Sequence, residues 1–344
     1  MLSALAADRA RVADLDAQIL DLEHSLSALR YQKQLVQERL GSYSYPVLTL
    51  PNEIVAEIFI HFLPLYPLCP PLTGRSSPTI LTQICQKWRE IALATPKLWR
   101  AISLTADIDL EQRLHICHAW LTRSCSCPLS IRGLDAPQLL EAVIPCRARW
   151  EYLNLTLFPA YLPAFEGPMP LLRHLDLAVS DEDITVTIPA APLLSSITLD
   201  FFNAVTPTII LPLAQLTSLI LQHVYRNEYV AILRHTFKLV HCELGILYQH
   251  NEPLQHDIEL PCLESLVLLA GTIHTMRHLD DFLVPALRSL RVEEVFLQPE
   301  PIAALSFFIS KSRCKLQELR LTGAKIPLGS YREAFPSTEV SFET

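Results

Sequence analysis

The residues best suited to chemistry are Cys117, His118, Cys125 and Cys127, four soft or borderline ligands within 11 positions. Thiolates and imidazoles are the donors of a zinc site, but such sites draw on two well-separated pairs with two to four residues between the members of each. This group lacks that spacing and reads as ordinary thiols. His223, His235, His241, His250 and His256 obey no spacing rule and read as surface or turn histidines. Asp181, Glu182 and Asp183, like Asp280 and Asp281, read as solvated loop or helix-start charges. No G-x-S-x-G, H-E-x-x-H or Walker sequence occurs, and no glycine pair has the spacing of a dinucleotide or kinase loop. Glycine is rare, 8 residues in 344, and proline common at 26. A nucleophile, a phosphate cradle and a metal site are all missing from the pattern, so the expectation is a chain that is not an enzyme and uses no cofactor.

Composition narrows the partners. Half the residues are hydrophobic and 19% are charged, which suits a globular chain rather than a disordered one. The formal net charge of -8 argues against nucleic acid, which needs a basic stripe. The longest stretch without a formal charge, residues 201–225, holds Asn203, Thr206, Pro207, Pro212, Gln215 and Gln222, costly groups in lipid. No membrane partner is expected. Nine cysteines are odd in number and too sparse for a disulfide scaffold. Asp8, Arg9, Arg11 and Asp14 stand where a signal peptide needs an apolar run. These features point to the cytoplasm or nucleus.

The elements that must position any site fall into three segments. In residues 1–41, heptad positions a and d run Leu5, Asp8, Val12, Leu15, Ile19, Leu22, Leu26, Leu29, Lys33, Val36 and Leu40, with no proline or glycine before Gly41. The spacing predicts a helix about 54 Å long. Its narrow stripe must pair with a second copy, another protein or the body of this one, and the first makes a homodimer through residues 1–40.

Residues 46–104 follow a second pattern. Leu50 and Pro51 precede a short apolar helix bearing Ile54, Val55, Ile58, Phe59 and Phe62, which stops at Pro64. Five prolines in 64–78 make that stretch an extended loop. A single helix over 79–94 then places Leu81, Ile84, Cys85, Trp88 and Ile91 at 3-4 spacing, closed by Thr95-Pro96 before Leu98-Trp99.

The order Leu50-Pro51, Glu53, an apolar helix, Ile84-Cys85, Trp88-Arg89 and Leu98-Trp99 resembles an F-box. With the preceding coiled coil, the wording VLTLPNEIVAEIF and SPTILTQICQKWREIALATPKLW is similar to the expanded F-box family of mushroom-forming (basidiomycete) fungi. The insert at 64–78 is longer than in the usual F-box. The resemblance implies docking on a Skp-type adaptor, and through it a cullin, by Leu50, Pro51, Ile54, Ile58, Phe59, Leu81, Ile84, Cys85 and Trp88.

Residues 105–344 contain a repeat. The phrase L-x-x-L-x-L recurs with first anchors at Trp150, Leu172, Leu194, Leu216, Leu239, Leu263, Leu287 and Leu316, the spacing of leucine-rich repeats that give one parallel strand each. Strands near 99–104 and 128–131 extend the series. The asparagine that usually satisfies turn amides is absent from each repeat, so irregular returns with short helices are expected around 110–122, 229–235, 278–283 and 302–310. The fold class expected is therefore α/β: a long coiled-coil helix, a small helical F-box and a leucine-rich-repeat solenoid.

Alternate strand residues point away from the core. Four after each anchor stand Asn154, Asp176, Thr198, Ile220, Glu243, Val267, Arg291 and Arg320. Eight strands span roughly 34 Å. The sharper reading makes Ile220 and Val267 an apolar centre, with Asp176 and Glu243 near it and Arg291 and Arg320 clamping an acidic element of an unidentified protein substrate; the plainer one makes them solvated strand positions. The function expected is a non-catalytic substrate-recognition subunit of a Skp-cullin-F-box ubiquitin ligase. The alternative is a leucine-rich-repeat scaffold that engages no ligase.

Overall fold

The computed structural model describes residues 2–42, 46–105, 108–134, 136–157, 167–179, 185–188, 190–201, 208–247, 257–270 and 278–343. They fall into two compact units, Met1–Glu57 and Ile58–Thr344. Tyr43 to Tyr45, where the first helix is expected to give way, and His250 and His256 lie outside the described residues. No described helix is long and apolar enough to cross a membrane.

The first unit is dominated by α1 (Leu2–Ser42), an uninterrupted helix of 41 residues and about 60 Å. Its heptad leucines, isoleucine and valines, from Leu5 to Leu40, are all exposed. The helix α2 (Asn52–Phe62) starts in this unit and ends in the next. Pro51 needs no amide bond at that end, and its carbonyl accepts from Val55 N at 3.2 Å. Val55 and Phe59, four apart, are buried, while Ile54, Ile58 and Phe62 remain exposed.

The expected single helix over 79–94 is in fact broken. A 3₁₀ turn (Pro78–Ile80) leads into α3 (Leu81–Ile84), and α4 (Gln86–Leu93) follows after Cys85. Cys85 is extended at φ -155°, and its Sγ accepts from Trp88 N at 3.5 Å as the cap of α4. Arg89 Nε donates to the carbonyl of Thr82 at 2.7 Å, satisfying an oxygen that a continuous helix would have bonded through its backbone. The 3-4 spacing was readable; a cysteine acting as a cap was not.

The proline-rich stretch 64–78 is a loop, folded onto the start of the sheet. Tyr66 Oη donates to Glu151 at 2.7 Å, its ring meets Tyr152 edge-on at 5.5 Å, and the Arg100 guanidinium lies 3.7 Å above it. Ser130 Oγ donates to the Pro67 carbonyl at 2.7 Å.

Along the rest of the second unit run β1 (Ala101–Ser103), α5 (Leu110–Arg123), β2 (Leu129–Leu134), α6 (Pro137–Val143), β3 (Trp150–Leu157) and β4 (His174–Val179). Then come β5 (Thr185–Thr187), β6 (Ser196–Asp200), β7 (Thr208–Ile210), β8 (Ser218–Val224), α7 (Arg226–Leu233), β9 (His241–Ile246), β10 (Ile258–Glu259) and β11 (Ser265–Ala270). The unit finishes with β12 (Phe282–Leu283), β13 (Ser289–Glu293), α8 (Pro301–Ser312), β14 (Glu318–Thr322), α9 (Leu328–Ala334) and β15 (Glu339–Glu343). An eleven-stranded parallel sheet has the order β1-β2-β3-β4-β6-β8-β9-β11-β13-β14-β15. The pairs β5-β7 and β10-β12 are separate two-stranded ladders.

The repeat explains this order. All eight anchors are buried, and seven of them stand two residues before a strand begins. Within strands the burial alternates, as in Ser196–Asp200 and Ser289–Glu293, so one face of each strand enters the core. Gly133, at φ +78° beside the bulge in β2, has Thr105 only 3.0 Å from where a Cβ would sit, so a larger residue there is strained.

The returns match the expectation at α5, α7 and α8. The helix expected around 278–283 is instead a 3₁₀ turn (His278–Asp281) running into β12, because Phe282 and Leu283 pair with Ile258 and Glu259. Half-buried polar groups do locally what an asparagine ladder would do regularly. Gln215 Nε2 donates to the carbonyls of Ala191 and Leu194, both at 2.8 Å.

A buried chain of polar groups lies beside that 3₁₀ turn. Arg226 Nε and Tyr229 Oη both donate to Asp281 Oδ2, each at 2.8 Å, and Tyr229 Oη is 3.0 Å from His278 Nδ1. With the phenol proton directed at Asp281, His278 must carry a proton on Nδ1 and donate it to Tyr229. Burial, aided by Arg226 and opposed by Asp281, lowers His278 to about 4. The unfolded side chain titrates near 6.5, so its contribution is complete above that pH and is lost as pH falls towards 4, to the extent of roughly 2–3 kcal/mol. Urea unfolding from pH 7 to pH 4 should therefore show a shallower loss for His278→Gln than for the parent. Parallel curves would remove His278 as the cause.

Candidate functional site

Two surfaces gather the residues singled out by sequence. The first is the helical segment at 58–100 of the second unit, while Leu50, Pro51 and Ile54 belong to the first unit. Pro51 is exposed, Ile54 is 50%, Ile58 49% and Ile84 56% accessible, and Leu50, Cys85 and Trp88 are half-buried. Phe59 and Leu81 are instead core residues: Phe59 packs edge-on against Trp88 with centroids 4.9 Å apart, and neither reaches the surface. Their role is to hold the exposed isoleucines, since a buried aromatic pair of this kind fixes the helices that carry them. Downstream, Trp99 Nε1 donates to the Ala92 carbonyl at 2.9 Å and its ring meets Trp120 at 5.5 Å, tying α4 to α5.

Sequence reading missed a groove in the second unit. Leu65 and Leu68 in the proline-rich loop are exposed and line a groove of about 330 Å³ with Ile60, Tyr66, Lys97 and Arg100. The available signal was the pair of leucines set among prolines, where a solvated loop would carry polar residues.

The second surface is the solvent-facing row of the sheet. Asp176, Thr198, Ile220, Glu243, Val267, Arg291 and Arg320 are successive register partners across seven strands, so the six residues proposed from spacing do share one row. The row is already internally bonded. Asn154 Nδ2 donates to Asp176, and Gln222 Nε2 to Glu243 at 3.0 Å. Arg291 pairs with Glu343 at 2.6 Å, and Arg320 pairs with Glu318 at 2.6 Å and with Glu343 at 3.3 Å. Hydrogen bonds from Arg320 and Ser289 hold the Glu318 carboxyl below its usual range. Val267 is nearly covered, so Ile220 is the more accessible of the two apolar positions. An acidic ligand at this end must displace Glu318 and Glu343 from the arginines. The strand β15, which supplies Glu343, was not anticipated, because no leucine marks its start.

The cysteine-histidine group is not brought together as a site. Cys117 is buried, which pushes its thiol up to about 12, whereas Cys125 is exposed. Among the described residues no three His, Cys, Asp or Glu side chains are placed to hold a metal ion. His223 Nδ1 lies 2.7 Å from Asp200 Oδ1 on the strand edge, as a surface pair.

The fold and these surfaces define an α/β protein with a long amino-terminal helix and a large parallel sheet, presenting apolar and charged faces to solvent. No protein-family model matches the chain, and no curated protein matches it significantly.

Proposed function

We propose that this chain is a non-catalytic substrate receptor of a Skp-cullin-F-box ubiquitin ligase, with its sheet read as a stack of irregular leucine-rich repeats. The observation that carries the reading is the exposure of Ile54 and Ile58, one helical turn apart on α2, in a segment whose order of residues resembles an F-box. Exposed branched side chains on a short helix mark a face that a partner covers. The row from Asp176 to Arg320 then holds the substrate. The receptor contributes no acid, base or metal; holding target lysines near a charged conjugating enzyme raises their effective concentration. The stripe of α1 pairs with a second copy.

The test is adaptor binding by the purified full chain. Ile58→Asp places an unpaired carboxylate where an apolar anchor would be desolvated, and affinity for the Skp-type adaptor should fall about 30-fold or more. Leu50→Ala with Pro51→Ala should also weaken it, with unchanged unfolding of the sheet. Equal affinity of variants and parent would remove the ligase reading. The packing of Tyr66 and Pro67 on Glu151 and Ser130 favours the second reading, in which the helical segment only caps a repeat scaffold; there the parent itself would not bind the adaptor.

A further inference from the structure

The two charges in the α1 seam, Asp8 at a d position and Lys33 at an a position, are both exposed, as are the apolar seam residues around them. A charge in a seam selects partners more than it stabilises them, because each orientation of the paired helices sets it against a different group. In a parallel, in-register pair, a faces a and d faces d. Asp8 would then meet the Asp8 of the second copy, and Lys33 its Lys33, giving two like-charge layers.

In an antiparallel pair, a faces d. Full overlap sets Leu5 opposite Val36, Val12 opposite Leu29, Ile19 opposite Leu22 and Leu26 opposite Leu15, and the same register sets Lys33 opposite Asp8. Both polar exceptions are thereby matched, twice by symmetry, and every other layer is apolar. Sliding by one heptad in either direction shortens the overlap and sets both charges against apolar residues, Leu15 and Leu40 one way, Met1 and Leu26 the other. At the flanking e positions the same register sets Arg9 opposite Arg30 and Asp16 opposite Glu23, like-charge pairs that oppose it, but such pairs are solvent-exposed and contribute less than the two charge layers inside the seam. We infer that α1 is the interface of an antiparallel homodimer, with an Asp8–Lys33 layer between copies near each end, just inside the Leu5–Val36 layer. This rests on the homotypic pairing proposed above, and goes beyond it in fixing orientation and register. Since α1 is about 60 Å long, the two chains leave the coil at Ser42 on opposite ends of that rod.

Light scattering and sedimentation of the full chain across a concentration series test this with Asp8→Lys, Lys33→Asp and the double exchange. The parent should be a dimer. Each single exchange should weaken dimerisation at least tenfold, by creating like-charge layers, and the double exchange should restore it to within about threefold. A parent that stays monomeric at 100 µM would overturn homotypic pairing itself. A dimeric parent indifferent to the single exchanges, or a double exchange that does not recover, would overturn the antiparallel arrangement and leave pairing standing. Helix content measured by circular dichroism separates loss of pairing from loss of α1, since all three altered chains should keep it.

Discussion

Replacing Asp281 with alanine should cost the second unit about 3–5 kcal/mol, the penalty for removing one member of a buried ion pair. The Arg226 and Asp281 side chains are 12% and 5% accessible, so water cannot take over the role of the lost carboxylate. Asp281 also accepts from Tyr229 Oη at 2.8 Å, so the same change removes the acceptor of a fully buried phenol and leaves it facing His278 Nδ1. Domains are stable by only about 5–15 kcal/mol, which makes this a large fraction of the whole. Asp281→Asn keeps the shape but not the charge, and should fall between parent and alanine. Urea unfolding at pH 7 reads both. A loss under 1 kcal/mol for Asp281→Ala would show that the cluster is not a structural keystone. Exchange of both Arg226 and Asp281 for apolar residues of similar volume should cost less than the single change, since the pair's own desolvation is then avoided.

Glu294→Ala should cost about 3 kcal/mol, concentrated at the carboxyl-terminal end of the sheet. Glu294 is 1% accessible, and its Oε2 accepts from Lys325 N at 3.0 Å, Ile326 N at 3.3 Å and Tyr331 Oη at 2.9 Å. One carboxylate oxygen thus closes the turn after β14 and anchors α9 through its buried tyrosine. Without it, the buried Tyr331 hydroxyl and the half-buried Ile326 amide lack an acceptor, at about 1–3 kcal/mol each before relaxation, while the amide of the exposed Lys325 can turn to water. Glu294→Gln keeps one carbonyl oxygen and should cost about 1 kcal/mol. Amide hydrogen exchange is the sharper readout: protection over 325–343 should collapse in the alanine variant while β3 to β9 keep theirs. Uniform loss of protection would mean that Glu294 supports the entire sheet instead.

The sheet was legible because its signal repeats. Leu172, Leu194, Leu216, Leu263 and Leu287 recur with nearly fixed spacing, and all are buried two positions before a strand. The row of candidate binding residues followed from the same alternation. Events decided by one side chain were not legible: the break at Cys85, the pairing of Phe282 with Ile258, the reach of Glu343 to Arg291, and the fold of the loop at 64–78 onto Glu151. Each depends on a contact between residues far apart in sequence or on an unusual cap, and neither leaves a periodic trace. Phe59 and Leu81 illustrate the same limit within the helical segment, since 3-4 spacing places a residue on a broad face without saying which edge of that face is covered.

The strand order has a consequence for how the chain acquires its structure. Tyr152 pairs with His174 and Glu318 with Glu339, 22 and 21 positions apart, in a chain of 344 residues. Parallel pairing is usually slow to form because its contacts lie far apart along the chain, but here each new strand needs only the one before it. Closing such a short loop adds little entropy cost, and that cost is nearly the same for every strand. Folding can therefore start at any adjacent pair and extend in both directions, and opening should begin at β1 and β15, whose loss uncovers the fewest neighbours.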